Sequence, residues 1–313
     1  MAIPILRQNA STKYSYKLDK LKEGEKISIV ADSMFHAMLN NESRKKFSAY
    51  LISMILNVPF DEIFNTLQFV NNKLDKNKSI EKNRTVDFLC KINDEYVGIE
   101  MNNIYSPTKL ERNISYASDI YKKNMKTGVP YDYNYSIQID LNNFTFNNDK
   151  IIDEFELKNK DGESLTDKIK FIYIYLPNIH KKRYNIDELS ELEKFILVMC
   201  EQNINICKDL AKGNKIMEEY VDDAVYASND EVLDIYDAEV IKQMEMQDMK
   251  RQGLSEGYDA GRTDGYDAGV EHGIETGKRE QQLEIAKNML NKNIDIETII
   301  SCTGLSKQEI ENL

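Results

Sequence analysis

The chain has 313 residues, 41% hydrophobic and 9% aromatic, with 41 Lys+Arg against 53 Asp+Glu and a net charge of −12. That is enough apolar material for one large domain or two smaller ones, and it excludes a wholly disordered chain. No window approaches the roughly 18 uninterrupted apolar residues of a membrane span, and the start, MAIPILRQNASTKYSYK, lacks the apolar core and cleavage site of a secretory signal. Cys90, Cys200, Cys207 and Cys302 show no CxxC spacing, so they read as reduced thiols of a cytosolic protein. With only His36, His180 and His272 present, a His-based metal centre is disfavoured and any catalysis rests on carboxylates. The acidity is uneven. Residues 1–150 hold 21 basic and 18 acidic side chains, and residues 151–313 hold 20 and 35. The first half can present a basic face to phosphates.

Residues 1–29 are polar, Lys-rich and weakly patterned, and read as a partly ordered arm. In ESRKKFSAYLISMILNV (42–58), Phe47, Leu51, Met54, Ile55 and Val58 fall on one face of a helix. Leu56-Asn57 reads as its end and Pro59 closes it. A short strand is expected near Leu67–Leu74. RTVDFLCKI (84–92) and YVGIEMNNI (96–104) are two β-rich arms around a short polar link, a hairpin pattern. TKLERNISYASDIYKKNMKTG (108–128) is helical in period, with Gly128 suited to its C-terminal cap. YSIQIDLNNF (135–144) alternates as a strand. Residues 154–177 read as a second hairpin around Lys160-Asp161-Gly162, and 188–202 as a helix. This order predicts an α/β or α+β domain, a mixed sheet with flanking helices, over residues 30–215.

Residues 216–250 form an acidic, helix-compatible connector. In 251–279, Gly253, Gly257, Gly261, Gly265, Gly269, Gly273 and Gly277 recur at every fourth position. Each glycine costs a helix about 1 kcal/mol against alanine. The array is therefore either a spacer or a helix that packs closely against a second copy, as small-xxx-small helices do. Residues 280–313 predict three short helices, with Thr303-Gly304 ending the second and Ser306 and Glu309 forming a capping box for the third. The tail invites comparison with a helix-turn-helix reader. Its three basic and five acidic residues from 281 onward favour docking or oligomerisation instead.

The chemistry concentrates in the first hairpin. Asp87 stands on one arm, and Glu100 and Asn102, two residues apart, project from one face of the other. A carboxylate between Ile99 and Met101 is costly unless it is paired or binds a cation. Two converging carboxylates make a hard oxygen site suited to Mg²⁺. Such an ion activates water and stabilises charge in phosphodiester attack. The alternative is that Glu100 pairs with a basic side chain on an exposed sheet face.

VDFLCKINDEYVGIEMNN, then KLERNISYASDIYKKNMKTGVPYDY, then YSIQIDL, resembles the PD-(D/E)xK nuclease superfamily. Within it, the chain is similar to the bacterial PD-(D/E)xK family transposases, or recombination-promoting nucleases. ADSMFHAML (31–39), IYIYLP (172–177), the glycine array and the IAKNML…TGLSKQEI ending fit that group as well. The resemblance implies a restriction-endonuclease-like mixed sheet followed by an all-α C-terminal extension. It implies a bacterial cytosolic endonuclease that uses Mg²⁺ (or Mn²⁺) on nucleic acid, most readily DNA, in recombination or transposition-like processes. Asp87 and Glu100 match the two metal-binding acids, with the Met101 backbone carbonyl as a third oxygen ligand. Asp32 matches a further family acid, and Glu42 competes for that role. Arg112 and Tyr116, four apart on one helix face, match positions facing the cleft, where Arg112 could grip a phosphate. Their alternative is a structural Arg–carboxylate pair over a buried Tyr. Asn102 stands where the superfamily usually has Lys and this group often has Gln. It brings hydrogen bonds without charge, so a slow nuclease or a DNA-binding member that no longer cuts is the competing expectation. A homo-oligomer formed through the C-terminal half completes the reading.

Overall fold

A computed structural model describes residues 15–70, 73–74, 84–93, 95–105, 107–123, 136–146 and 149–313. The chain divides into two compact units, residues 1–243 and 244–313.

The first unit is built on a mixed six-stranded sheet. Its strands are β1 (Gln68–Phe69), β4 (Phe88–Ile92), β5 (Glu95–Asn102), β6 (Ser136–Asn142), β7 (Ile152–Lys158) and β8 (Ser164–Tyr175), and their order is β1-β4-β5-β6-β8-β7. A two-stranded ribbon pairs β2 (Lys73–Leu74) with β3 (Arg84–Thr85). The expected hairpins both form: β4 and β5 run antiparallel, as do β7 and β8, the latter turning at Gly162, whose φ is +87°. Strands β5, β6 and β8 are parallel neighbours. Parallel pairing needs a crossover, and between β5 and β6 it contains α4 (Pro107–Lys123). The Gly128 cap lies outside the described residues.

The two faces of the sheet differ in chemistry. Phe88, Ile99, Ile139 and Ile172 alternate onto one face and join the main core. Helices α1 (Asp32–Met38), α2 (Lys45–Leu56), α3 (Phe60–Thr66), α5 (Leu176–Lys181), α6 (Glu191–Cys200) and α7 (Ile204–Ala211) bury side chains in that same core. As expected, α2 ends at Leu56, and Asn57 adopts a left-handed cap with φ +54°. The opposite face carries Gln138, Asp140 and Asn142 and is lined by an aromatic cluster of Phe144, Phe146, Tyr173 and Tyr175. Val86, Leu89, Tyr116 and Ile120 form a second small cluster that ties α4 to it.

Two boundaries depart from the sequence reading. At the end of the polar arm, Lys26, Ile27, Ser28 and Ile29 are buried, as is Val30 next to them. Lys26 N–H donates to the Gln202 carbonyl and Ile29 N–H to that of Met199, so a short run of apolar residues is held by backbone hydrogen bonds despite weak patterning. The first unit also continues past residue 215. In α8 (Lys215–Tyr226), Met217, Tyr220, Val221 and Ala224 enter the main core, followed by Tyr236 and Val240 of α9 (Leu233–Asn291). The acidic side chains that suggested a connector are the outer face of core helices.

In the second unit α9 continues as helix through all seven spaced glycines. Next come α10 (Ile296–Thr303) and α11 (Lys307–Glu311). Ala286, Ile299, Leu305 and Ile310 form its small core, Gly304 caps α10 at φ +71°, and the Ser306/Glu309 capping box is present. Cys90, Cys200 and Cys207 are buried free thiols and Cys302 is exposed. Among the described residues, no helix is long and apolar enough to cross a membrane.

Candidate functional site

Strand register assembles the site. Phe88 faces Ile99 across the first hairpin, so Asp87, one residue earlier, comes opposite Glu100. Glu100 in turn pairs with Asp140 on β6, and Asp140 with Tyr173 on β8. Directly opposed residues share a face of the sheet. Asp87, Glu100 and Asp140 therefore form one row on the polar face, and Asn102 and Asn142 begin the next.

Backbone hydrogen bonds pin the first two acids to each other's strands. Asp87 N–H donates to Glu100 Oε1 at 3.0 Å, and Met101 N–H donates to Asp87 Oδ2 at 2.9 Å. Helix α4 brings Arg112 over the row. Its Nη2 donates to Glu100 Oε2 at 2.8 Å and to Asn102 Oδ1 at 3.2 Å. The Arg112 side chain stays 38% exposed, whereas that of Glu100 is 2% exposed. Tyr116, one turn on, is buried beneath the guanidinium, which lies 5.4 Å from its ring centre. The α4 pair thus comes to the site with Arg112 at its surface and Tyr116 packed below.

Asp32 opens α1 and is exposed, and its charge reaches Asp87. Glu42 begins a separate 3₁₀ turn and is exposed. His36, which the sequence analysis gave no role, also acts on Asp87. It lies one turn after Asp32, and its Nδ1 is 3.2 Å from Asn40 Nδ2, which also donates to the Asp87 carbonyl at 3.0 Å. The four-residue spacing of Asp32 and His36 was a readable signal of a shared helix face, and Asn40 follows just past the end of α1.

Asp140 is the other residue sequence reasoning missed. It is fully buried, and its Oδ1 accepts from Asn102 Nδ2 at 3.2 Å and Gln138 Nε2 at 3.4 Å. The clue was the alternation of polar residues 138, 140 and 142 in a strand otherwise apolar. It became meaningful only once β6 was known to lie beside β5.

The electrostatics of the row favour a cation. Burial pushes Glu100 up to about 8, reinforced by the Asp87 charge and opposed by Arg112. Burial likewise raises Asp87 and pushes Asp140 up to about 7. Burial outweighs the Arg112 charge at all three carboxyls, so a further cation would favour their ionised forms. Among the described residues, no three His, Cys, Asp or Glu side chains gather closely enough to hold a metal by themselves. Two carboxylates nevertheless suffice for Mg²⁺, which keeps several waters and shares phosphate oxygens. The donor set of Asp87 and Glu100 fits such an ion.

Comparison with known families agrees with this architecture. Residues 29–253 match the PD-(D/E)XK nuclease family transposase, and residues 279–313 match the C-terminal HTH domain of the Rpn/YhgA-like nuclease family. No curated protein and no solved structure matches the chain. The first match spans the sheet, both acids of the hairpin, α4 and the core helices to residue 253. The second spans the α10–α11 pair and the end of α9, a helix-turn-helix assignment that the tail's acidity had argued against for a DNA reader. The chain therefore belongs to the PD-(D/E)XK nuclease family transposases, with an Rpn/YhgA-like helix-turn-helix domain at its C-terminal end.

Proposed function

We propose that this protein is a DNA endonuclease that requires Mg²⁺ or Mn²⁺ and acts in recombination or transposition-like processes. The observation that carries the reading is the cross-strand pair of Asp87 and Glu100, each fixed by a backbone hydrogen bond and each raised by burial. These two carboxylates would hold the ion. The Met101 carbonyl would be a third oxygen, because a strand residue presents its C=O on the same edge as its N–H, and the Met101 N–H points to Asp87. When bound, the ion supplies Lewis acidity and lowers the pKa of a coordinated water.

The chain's own groups do the remaining work. Arg112 neutralises Glu100 at rest. With Glu100 engaged elsewhere, its fork turns to a phosphate oxygen of the substrate. Asn102 directs a hydrogen bond and cannot act as a base. Asp32 and His36 act on Asp87 through their charges, Asp32 raising and His36 lowering its pKa. The helix-turn-helix match supports a DNA partner. The tail's excess of acidic residues assigns the main phosphate grip to the first unit. A second copy is the partner for the glycine-rich stretch of α9, where a Cβ built on any of the seven glycines meets nothing within 4 Å.

A DNA-binding member that does not cut is the second reading. It is favoured by Asn102, whose carboxamide bonds to both Asp140 and Arg112 and brings no charge to the cleft. The two are separated by incubating end-labelled duplex DNA, single-stranded DNA and RNA with the purified chain in Mg²⁺ or EDTA. The endonuclease reading expects Mg²⁺-dependent cleavage of DNA. Binding without cleavage of any substrate turns the assignment to the second reading, and cleavage confined to RNA turns it to an RNA-directed or phage-defence nuclease.

A further inference from the structure

Asp140 is an expensive residue to bury. Its side chain is fully enclosed, and among the described residues its carboxyl is met only by the side-chain amides of Asn102, Gln138 and Asn113, with no cation bonded to it. A carboxylate enclosed in a protein interior with no cation bonded to it costs stability that an apolar side chain would not. Its position suggests what offsets that cost. It is the strand partner of Glu100, and its Oδ1 receives the Asn102 amide.

A carboxamide has two orientations that place oxygen and nitrogen in nearly the same space. Only one is compatible with ionised Asp140. In that form the carboxylate accepts and cannot donate, so it draws the Asn102 NH₂ group inward, as the Asn102 Nδ2 to Asp140 Oδ1 contact shows. The Asn102 oxygen is then turned outward to Arg112, which donates to it at 3.2 Å and to Glu100 at 2.8 Å from the same Nη2. Gln138 steadies Asp140 from two residues away on β6. The chain of contacts runs from Asp140 through Asn102 and Arg112 to Glu100, and it begins at a residue that touches neither cleft nor solvent.

The structure assigns to Asp140 the part of a positioning residue: it fixes the Asn102 carboxamide with its oxygen toward the cleft and thereby sets where the Arg112 guanidinium stands over Glu100. This rests on the endonuclease reading for its effect on cleavage, though not for its geometry. Outer residues that orient such sites are worth about 10- to 100-fold in activity.

The test uses the full-length protein with Asp140→Leu, which fills the space without an acceptor, and Asp140→Asn, which keeps one. Both are combined with Asn102→Ala, and thermal melts check folding. Plasmid nicking is expected to fall about 10- to 100-fold in Asp140→Leu, to recover in Asp140→Asn, and to show no additional loss from Asp140→Leu on the Asn102→Ala background. Equal losses from Asp140→Leu on both backgrounds would mean a merely structural residue and overturn the assignment. An independent reading comes from the Asn102 side-chain amide NMR signals, identified as the pair missing in Asn102→Ala. They are expected to exchange slowly in wild type and Asp140→Asn and to shift and exchange rapidly in Asp140→Leu. Identical signals in all three would refute the assignment. If wild type cuts nothing, the endonuclease reading fails and the NMR comparison still decides the role of Asp140.

Discussion

Glu100 gives the protein a pH dependence whose sign follows from its surroundings. Burial and Asp87 push it up to about 8, against an ordinary value of 4.5. Between those values the folded chain keeps a proton that the unfolded chain has released. The stability this contributes is complete below about pH 4.5 and is lost as pH rises through about 8. Glu100→Gln removes the titration. In EDTA its Tm is therefore expected to gain on wild type between about pH 5.5 and about pH 8.5. A constant difference across that range would contradict the assignment. Mg²⁺ is expected to raise the wild-type Tm more at the higher pH, by binding only the folded chain. Arg112 supplies the other residue-scale outcome. It is the cation already seated on Glu100 and Asn102, so Arg112→Ala should cut nicking about 10²-fold. Arg112→Lys should recover little, because lysine keeps the charge and loses the fork. Full activity in Arg112→Ala would exclude it from the site.

Among the elements, the packing of α4 on the sheet depends on one glycine. A Cβ on Gly98 would come 2.7 Å from Gln138 Oε1 and 2.9 Å from Ile120 Cδ1, the second of these on α4. Gly98→Val is thus expected to push the helix off the polar face, costing about 1–3 kcal/mol by overpacking and weakening cleavage with it, as urea melts and nicking assays would report. Unchanged stability would mean that α4 gives way freely. The hairpin, α2 with its Asn57 cap, α4 and the tail's capping box were all legible in sequence, because each is written in local periodicity or in a short polar signal. What could not be read was lateral. Neither Asp140 beside Glu100 nor the parallel run of β5, β6 and β8 has a local signature. The glycine array was ambiguous because helix propensity opposed a helix that the structure nevertheless forms. Residues 26–30 hid a core segment in a lysine-rich context.

For the molecule as a whole, the glycines and the acids of the hairpin make separate demands. Leu254, Tyr258, Tyr266, Val270 and Ile274 each follow a glycine of the array and are exposed. Glycines with open space above them contribute nothing to packing within the chain. Gly261→Ala with Gly269→Ala should therefore lower the order of assembly in light scattering if a second copy packs there. If none does, the helix gains stability by about 1 kcal/mol per site with no change in mass, which would contradict the oligomer. The helix-turn-helix tail and the nuclease domain lie at the two ends of this helix in sequence, so assembly and cutting are separately testable. The most direct test of the nuclease itself is the nicking of supercoiled plasmid by the purified full-length chain, in Mg²⁺ and in EDTA, beside Asp87→Ala and Glu100→Ala. Nicking by wild type in Mg²⁺ alone, abolished in both variants with folding intact, is the expected result. Nicking that persists in either variant, or no nicking by wild type while DNA binding is retained, would contradict a cation-dependent endonuclease built on those two acids.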